Sequence, residues 1–541
     1  MKFTLTNKTI LIIEDYPIMR KSIKDMLYVL GAQYIFEAEN GTAAISAMNK
    51  QKFDIVLCDF NLGEGKNGQQ ILEEAKYNKL ISYNALFIIV SAHQSATDVL
   101  STLENKPDEY LAKPFNAQQL FRRIEQSHQR KQWLSGIEKE INKGNLSRAI
   151  AKCDDLLKNN TVKRCQLLRI RADLAIRVGD FETATTIYVQ ILEQRELAWA
   201  RLGTGIIAFF QNKYDQAIQI FRDIIIQNPM LMDCYDWLAK SYEAIERIDD
   251  AEATLLEATE ISPHSFFRQK KLALLADKTG NIEIAEKAYK AVTDLAQYSI
   301  HKSPHDFSGL AKIYSRQHKE KEALQTLDDM HHHFTNNPEA DLRIAALETE
   351  IYLIIGENQL SEQAFQKVQL LNSQLKDRIP PDLLVDLAKA YYINNEDKHA
   401  EEIISSLIYN YIDDNGFIDE IRHMQHDVGK DDFSENLIQQ TKQELIDINN
   451  QGVELFKQGN LKEAFAIFEK AVEKMPNNKS IIFNMAKITL HDLKVSGITE
   501  ANLLRAHRYI QKAKQVGVAN DKLGSLQIEF ERATQTHPSL I

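Results

Sequence analysis

Apolar residues near the start of the chain form short, nearly continuous runs: Thr9–Ile13, Tyr34–Ala38, Asp54–Cys58, Ala85–Val90 and Glu109–Leu111. Between them the pattern becomes helical, over Pro17–Leu30, Gly41–Asn49, Asn67–Asn78, Ala96–Glu104 and Ala117–Ser127. Five strand-then-helix units predict a parallel sheet covered by helices on both faces. Continuous rather than alternating apolar strands fit burial on both sides. The expected fold is multidomain: an α/β doubly wound five-stranded parallel sheet over 1–128, then an all-α solenoid over 129–541.

The second part is read from its period. Ala217, Ala251 and Ala285 lie 34 residues apart, as do Phe221, Leu255 and Tyr289, and Pro229 and Pro263 share the spacing. Gly179, Gly280 and Gly459 each precede an alanine (Ala184, Ala285, Ala464) by five residues. The cause is packing. Alanine lets two antiparallel helices approach closely, the large apolar residue four positions on fills the next groove, and proline ends the second helix. Extending the frame places centres at Ala149, Ala184, Ala217, Ala251, Ala285, Ala323, Ala364, Ala400 and Ala464, with a degenerate one at Ala506. That makes about nine to ten units, with an irregular helical stretch near 410–445. A 34-residue period of this kind is the signature of the tetratricopeptide repeat (TPR), whose stacked units present a concave surface to peptides or protein segments.

Composition narrows the class. At 541 residues, 44% hydrophobic and 26% charged, the chain is globular and too long for one core. A net charge of −11 disfavours a nucleic-acid partner, which needs a basic footprint. No apolar stretch approaches the length that spans a bilayer, and the opening Met-Lys-Phe-Thr-Leu-Thr-Asn-Lys lacks a signal-peptide core. The four cysteines (58, 153, 165, 234) form no CxxC pair. The expectation is a reduced, cytoplasmic protein without a membrane partner.

The candidate chemistry sits where the strand-like runs end. Glu14-Asp15 closes the first, Asp59 the third, Ser91 the fourth, and Lys113-Pro114 follows the fifth. In such sheets ligands bind outside the carboxyl ends of the strands, so residues far apart in sequence would meet there. Asp59 supplies a carboxylate nucleophile for a phosphoryl group. Transfer spreads negative charge over the phosphoryl oxygens, and catalysis is positioning plus cationic stabilisation. Crowded carboxylates repel one another and the incoming phosphate unless a divalent cation neutralises them. Mg²⁺ fits, with Asp15 and Asp59 as direct ligands and Glu14 acting through water. Lys113 adds a point positive charge and Ser91 a hydroxyl donor.

Over residues 7–128 the sequence resembles the receiver domain of two-component response regulators. The resemblance rests on Glu14-Asp15, Asp59 forty-four residues after Asp15, Ser91, Tyr110 and Lys113-Pro114. It implies phosphotransfer from a histidine kinase or phosphotransfer protein, and a backbone carbonyl ligand to Mg²⁺ from Asn61. It also implies a switch in which Ser91 moves towards the phosphoryl group and Tyr110 rotates inward, with Asn61 and His93 tuning dephosphorylation. The stretch Asn61–Gly68 is longer than the family's usual loop after the acceptor.

The leading expectation is a response regulator that acts through protein binding by its repeats, or through contact with a second copy of itself. No GGDEF, EAL, HD-GYP or kinase nucleotide-binding signature occurs in 129–541, so an enzymatic tail is not expected. The alternatives are a constitutive scaffold, a phosphate sink, or a regulator in trans of a signalling enzyme. His331-His332-His333 invites a metal-site reading, but consecutive helical residues point in different directions, and a solvated helix end is expected.

Overall fold

A computed structural model describes residues 3–82, 84–92, 107–159 and 164–535. The predicted helix Ala96–Glu104 and His93 lie outside those residues. Strands β1 (Thr9–Ile13), β2 (Tyr34–Ala38), β3 (Ile55–Asp59), β4 (Leu86–Ser91) and β5 (Glu109–Ala112) form one parallel sheet in the order β2-β1-β3-β4-β5. Alternate residues of the inner strands feed two separate cores. Leu11, Ile13, Val56, Cys58, Phe87 and Ile89 pack with residues of α2 (Gly41–Lys50) and α3 (Gly68–Tyr77). Ile10, Ile12, Ile55, Leu57, Ile88 and Val90 pack with α1 (Pro17–Val29) and the helix Ala117–Asn142. Two apolar faces per strand explain why the runs are continuous rather than alternating.

Side chains fix the ends of these strands. Asp54, just before β3, accepts from the Thr9 amide at 2.9 Å and hydroxyl at 3.0 Å and from Lys8 Nζ at 3.2 Å. Those bonds tie the start of β1 to the start of β3. The helix from Ala117 runs to Asn142, fifteen residues past the expected end at Ser127. Its added turns bury Leu134 and Ile137, and Lys131 holds both carboxylate oxygens of Asp108 at 2.7 Å, so tertiary contacts carry it past a stretch of weak pattern. It stops at Gly144, which has φ +78°.

The described residues fall into two compact units, Met1–Gly144 with Arg148–Arg169 and Thr185–Ile313, and Asn145–Ser147 with Ile170–Ala184 and Tyr314–Ile541. In the first, the sheet is followed by antiparallel helix pairs, among them Ala198–Phe210 with Tyr214–Gln227 and Phe266–Thr279 with Ile282–Ala296. In the second the pairing continues through Pro338–Ile354 with Asn358–Leu375 and Lys479–Val495 with Glu500–Gln515. Helices Asn415–Asp427 and Asp431–Lys457 occupy the stretch where the repeat frame is weakest. The alanines of the 34-residue frame are buried from Ala149 to Ala506. A large side chain fills the space beside them. At Gly452 an added Cβ would lie 2.3 Å from the Phe468 ring, so only glycine admits that ring between the helices. Within the second unit, both oxygens of Glu531 accept backbone amides, from Leu146 and Ser147 at 3.1 Å each.

No helix among the described residues is long and apolar enough to cross a membrane. His331, His332 and His333 form the last turn of the helix Glu320–His333. The side chains of His331 and His332 are more than half exposed, as a solvated helix end requires.

Candidate functional site

From β1 the chain turns to β2 on one side and β3 on the other, which opens a crevice at the carboxyl ends of the two strands. Glu14 and Asp15 follow β1, and Asp59 is the last residue of β3. Lys113 follows β5, and its amide donates to the Ser91 carbonyl at the end of β4 at 2.8 Å. Ligand oxygens of Glu14, Asp15 and Asp59 all lie within 4.8 Å of one another. The Lys113 ammonium donates to Glu14 Oε2 and to Asp59 Oδ2, each at 2.8 Å. Side chains of Glu14, Asp59 and Lys113 are 3%, 11% and 11% exposed, so these charges interact with little screening. Asp15 is exposed.

The remaining predicted residues surround this cluster. Ser91 is buried one position beyond Val90, the β4 residue in register with Asp59. Tyr110 is half-buried on β5 beside Ile89, further from the acids. Asn61 is exposed two residues after Asp59, and its side-chain oxygen accepts from the Gly63 amide at 3.2 Å. His93 lies outside the described residues. Glu14, Asp15, Asp59 and Lys113 are therefore brought into one cluster, with Ser91 on the adjacent strand.

The electrostatics follow from burial. Desolvation, with the Asp59 carboxylate beside it, holds the Glu14 carboxyl above its ordinary 4.5, although Lys113 pulls the other way. Burial works against the Lys113 ammonium, yet its bonds to Asp59 and Glu14 keep it above 10.5. Burial also pushes the Cys58 thiol well above its ordinary value, so this cysteine acts as core. Three carboxylates against one ammonium leave two negative charges uncompensated when all are ionised. Hard oxygen donors with that deficit can hold a divalent metal ion.

Two neighbouring features are absent from the sequence expectations. Arg20, in the first turn of α1, donates to the Glu14 carbonyl at 2.6 Å and lies 3.4 Å from Glu37, fixing the acid pair's backbone. The long loop after Asp59 ends in a capping box: Asn67 accepts from the Gln70 amide at 2.9 Å, and Gln70 accepts from the Asn67 amide at 3.0 Å. Next to it Gly68 donates to the Phe60 carbonyl at 2.9 Å, and a Cβ on Gly68 would lie 2.4 Å from the Asp59 carbonyl oxygen. Asn67-Gly-Gln-Gln70 is a recognisable helix start. Nothing local to Arg20 marks its role.

Comparison with known proteins places both parts of the chain in described families. Residues 10–125 match the family described as response regulator receiver domain, and residues 171–231 and 233–265 match tetratricopeptide repeat families. The chemotaxis protein CheY of Pseudomonas aeruginosa is 29% identical over 121 residues, 22% of this chain and 96% of that protein. CheY of Bacillus subtilis is 31% identical over 115 residues, 21% of this chain and 92% of that protein. A solved tetratricopeptide repeat protein from Parabacteroides merdae aligns with 48% of this chain and 98% of its own at 14% identity and a TM-score of 0.29.

Proposed function

We propose, for a chain that belongs to the response regulator receiver family and continues into tetratricopeptide repeats, that a phosphoryl group on Asp59 controls what the repeats bind. The division we infer is a receiver over 1–128 and a repeat region over 129–541 of about nine to ten units, irregular near 410–445. The observation that carries the reading is the unbalanced acid cluster, with one lysine 2.8 Å from two of its three carboxylates.

The donor is a phosphohistidine on a histidine kinase or phosphotransfer protein. An Asp59 carboxylate oxygen attacks its phosphorus, a P–O bond forms, the P–N bond breaks, and the imidazole leaves with the electron pair. Asp15, Asp59 and the Asn61 carbonyl, with Glu14 through water, would hold Mg²⁺, which would supply positive charge between the approaching anions. Lys113 places its ammonium against the transferred group, and the Ser91 hydroxyl donates to a second phosphoryl oxygen. Tyr110 rotates inward as Ser91 moves, and Asn61 and His93 set the rate of hydrolysis. Catalysis is confined to this phosphotransfer and dephosphorylation. The repeats bind a protein or peptide, in the cytoplasm.

The test is incubation with acetyl phosphate and Mg²⁺, read by intact mass. Wild type gains one phosphoryl group, Asp59→Asn gains none, and the proteins recovered on the repeats differ between the two. Equal labelling of the variant overturns the assignment of Asp59. Labelling of wild type alone with identical partners overturns the regulatory part, and leaves a phosphate sink.

A further inference from the structure

The lengthened loop after Asp59 leads to a contact that the receiver chemistry does not use. We propose that α3 docks the unmodified receiver onto the junction between helices Ile282–Ala296 and Pro304–Arg316, and that a phosphoryl group on Asp59 releases it. The inference rests on the reading of Asp59 as the phosphoacceptor and names the repeat segment to which its state is passed.

Both ends of α3 touch this junction, within one compact unit. At the first turn, the Gln70 side chain uses both ends of its carboxamide: Oε1 accepts from the Asn67 amide at 3.0 Å and Nε2 donates to the Leu295 carbonyl at 3.3 Å. Leu295 is the penultimate residue of its helix, where carbonyls have no partner within the helix, and Gln70 supplies one from outside. At the last turn, the Tyr77 ring meets the His301 imidazole edge-on, with centroids 6.0 Å apart. The His301 ring also meets Phe267 at 4.9 Å and Phe266 at 6.5 Å, and its amide donates to the Ser299 hydroxyl at 3.0 Å. The landing site is thus a structured turn of the repeat array.

The same α3 terminus leans on the acceptor. Gly68 packs on the Asp59 carbonyl and donates to Phe60, and Lys66 pairs with Glu74 to brace the loop against the helix. The amide plane of Gln70 is rigid, so moving the Asn67–Gly68 backbone swings the donor away from Leu295 unless the capping bond is lost. A change of charge and size at Asp59 therefore acts directly on the element that makes the contact. The contact is also small enough to reverse, since Tyr77 keeps 65% of its surface exposed. A modification shifts such an equilibrium by its differential effect on the two states.

The variant Gln70→Glu separates docking from folding. A glutamate at this position keeps the acceptor of the capping box but removes the donor to Leu295. Hydrogen exchange across residues 294–303 of the full chain reads the junction, and ¹⁹F NMR reports bound beryllofluoride with Mg²⁺. In wild type, bound mimic is expected to raise exchange at the junction several-fold. Gln70→Glu and Tyr77→Ala are expected to show raised exchange without mimic and little further change with it, while still binding it. Unchanged exchange in wild type carrying the mimic overturns the release. Wild-type exchange in both variants without mimic overturns the docking. Absence of bound mimic in wild type overturns the phosphoacceptor reading itself, and the variants still decide whether the contact exists.

Discussion

In the repeat region the guanidinium of Arg343 is sealed from solvent with Glu339 at 3.2 Å and Asp382 at 2.7 Å, and Lys270 meets the buried Asp306 at 2.6 Å. At the sheet edge Lys113 is set among three carboxylates. Both places bury ions against the desolvation cost, but Lys270 and Asp306 match one charge with one, and the edge cluster does not. Although burial opposes it, Asp382 and its acidic neighbours hold the Arg343 guanidinium above its ordinary value. The Lys270–Asp306 pair balances its own charge, whereas the edge cluster is left two charges short and offers hard oxygen donors to a cation.

The contrast can be broken at several points. Asp382→Ala removes the 2.7 Å partner of the buried Arg343 guanidinium and is expected to destabilise the repeats by about 3–5 kcal/mol while phosphoryl uptake per folded molecule stays unchanged. Chemical denaturation and mass spectrometry of the same sample check both halves. Gly452→Ala drives a methyl group into the Phe468 ring and is expected to cost about 1–3 kcal/mol in the same denaturation experiment. Asp59→Asn in metal-free buffer should do the reverse and stabilise the receiver, by on the order of 1 kcal/mol, because it removes one of the uncompensated charges. A lower receiver melting temperature for that variant would mean that the cluster is balanced after all.

Asp54 gives the smallest effect and depends on pH. Burial works against its carboxylate, but the Thr9 and Lys8 bonds prevail and hold it below 3.8 in the folded chain. Its contribution is therefore full above that value and is lost as pH falls through the lower folded one. Asp54→Asn should flatten the acid limb of the stability profile below about pH 4 and leave its slope near neutrality alone. An unchanged acid limb would show that the link between β1 and β3 contributes nothing.

Much of the site was legible because each chemical residue stands at the end of an apolar run, and parallel strands gather such ends along one edge. The repeat frame was legible for a similar reason, since Ala217, Ala251 and Ala285 recur at the period of the helix pair. The end of the helix from Ala117 was not. Ser127 to Gln132 carries no apolar stripe, and the helix continues because Lys131 reaches Asp108 and Leu134 finds a core. Arg20 was missed because it acts on the Glu14 carbonyl, and sequence patterns record side chains rather than the backbone groups they hold.

The sequence by itself determined the two-part architecture, the strand ends and the identity of the acids, because hydrophobic period and turn chemistry act over a few residues. Tertiary structure decided that Lys113 is shared between Glu14, 99 positions away, and Asp59, 54 away. It also decided that Gln70 reaches Leu295 across 225 positions and that Glu531 accepts from the Leu146 amide 385 positions earlier. Such pairs leave no local signature. They depend on how a twisted sheet and a stack of helices close in space, where a shift of one ångström at each step would place a donor out of reach.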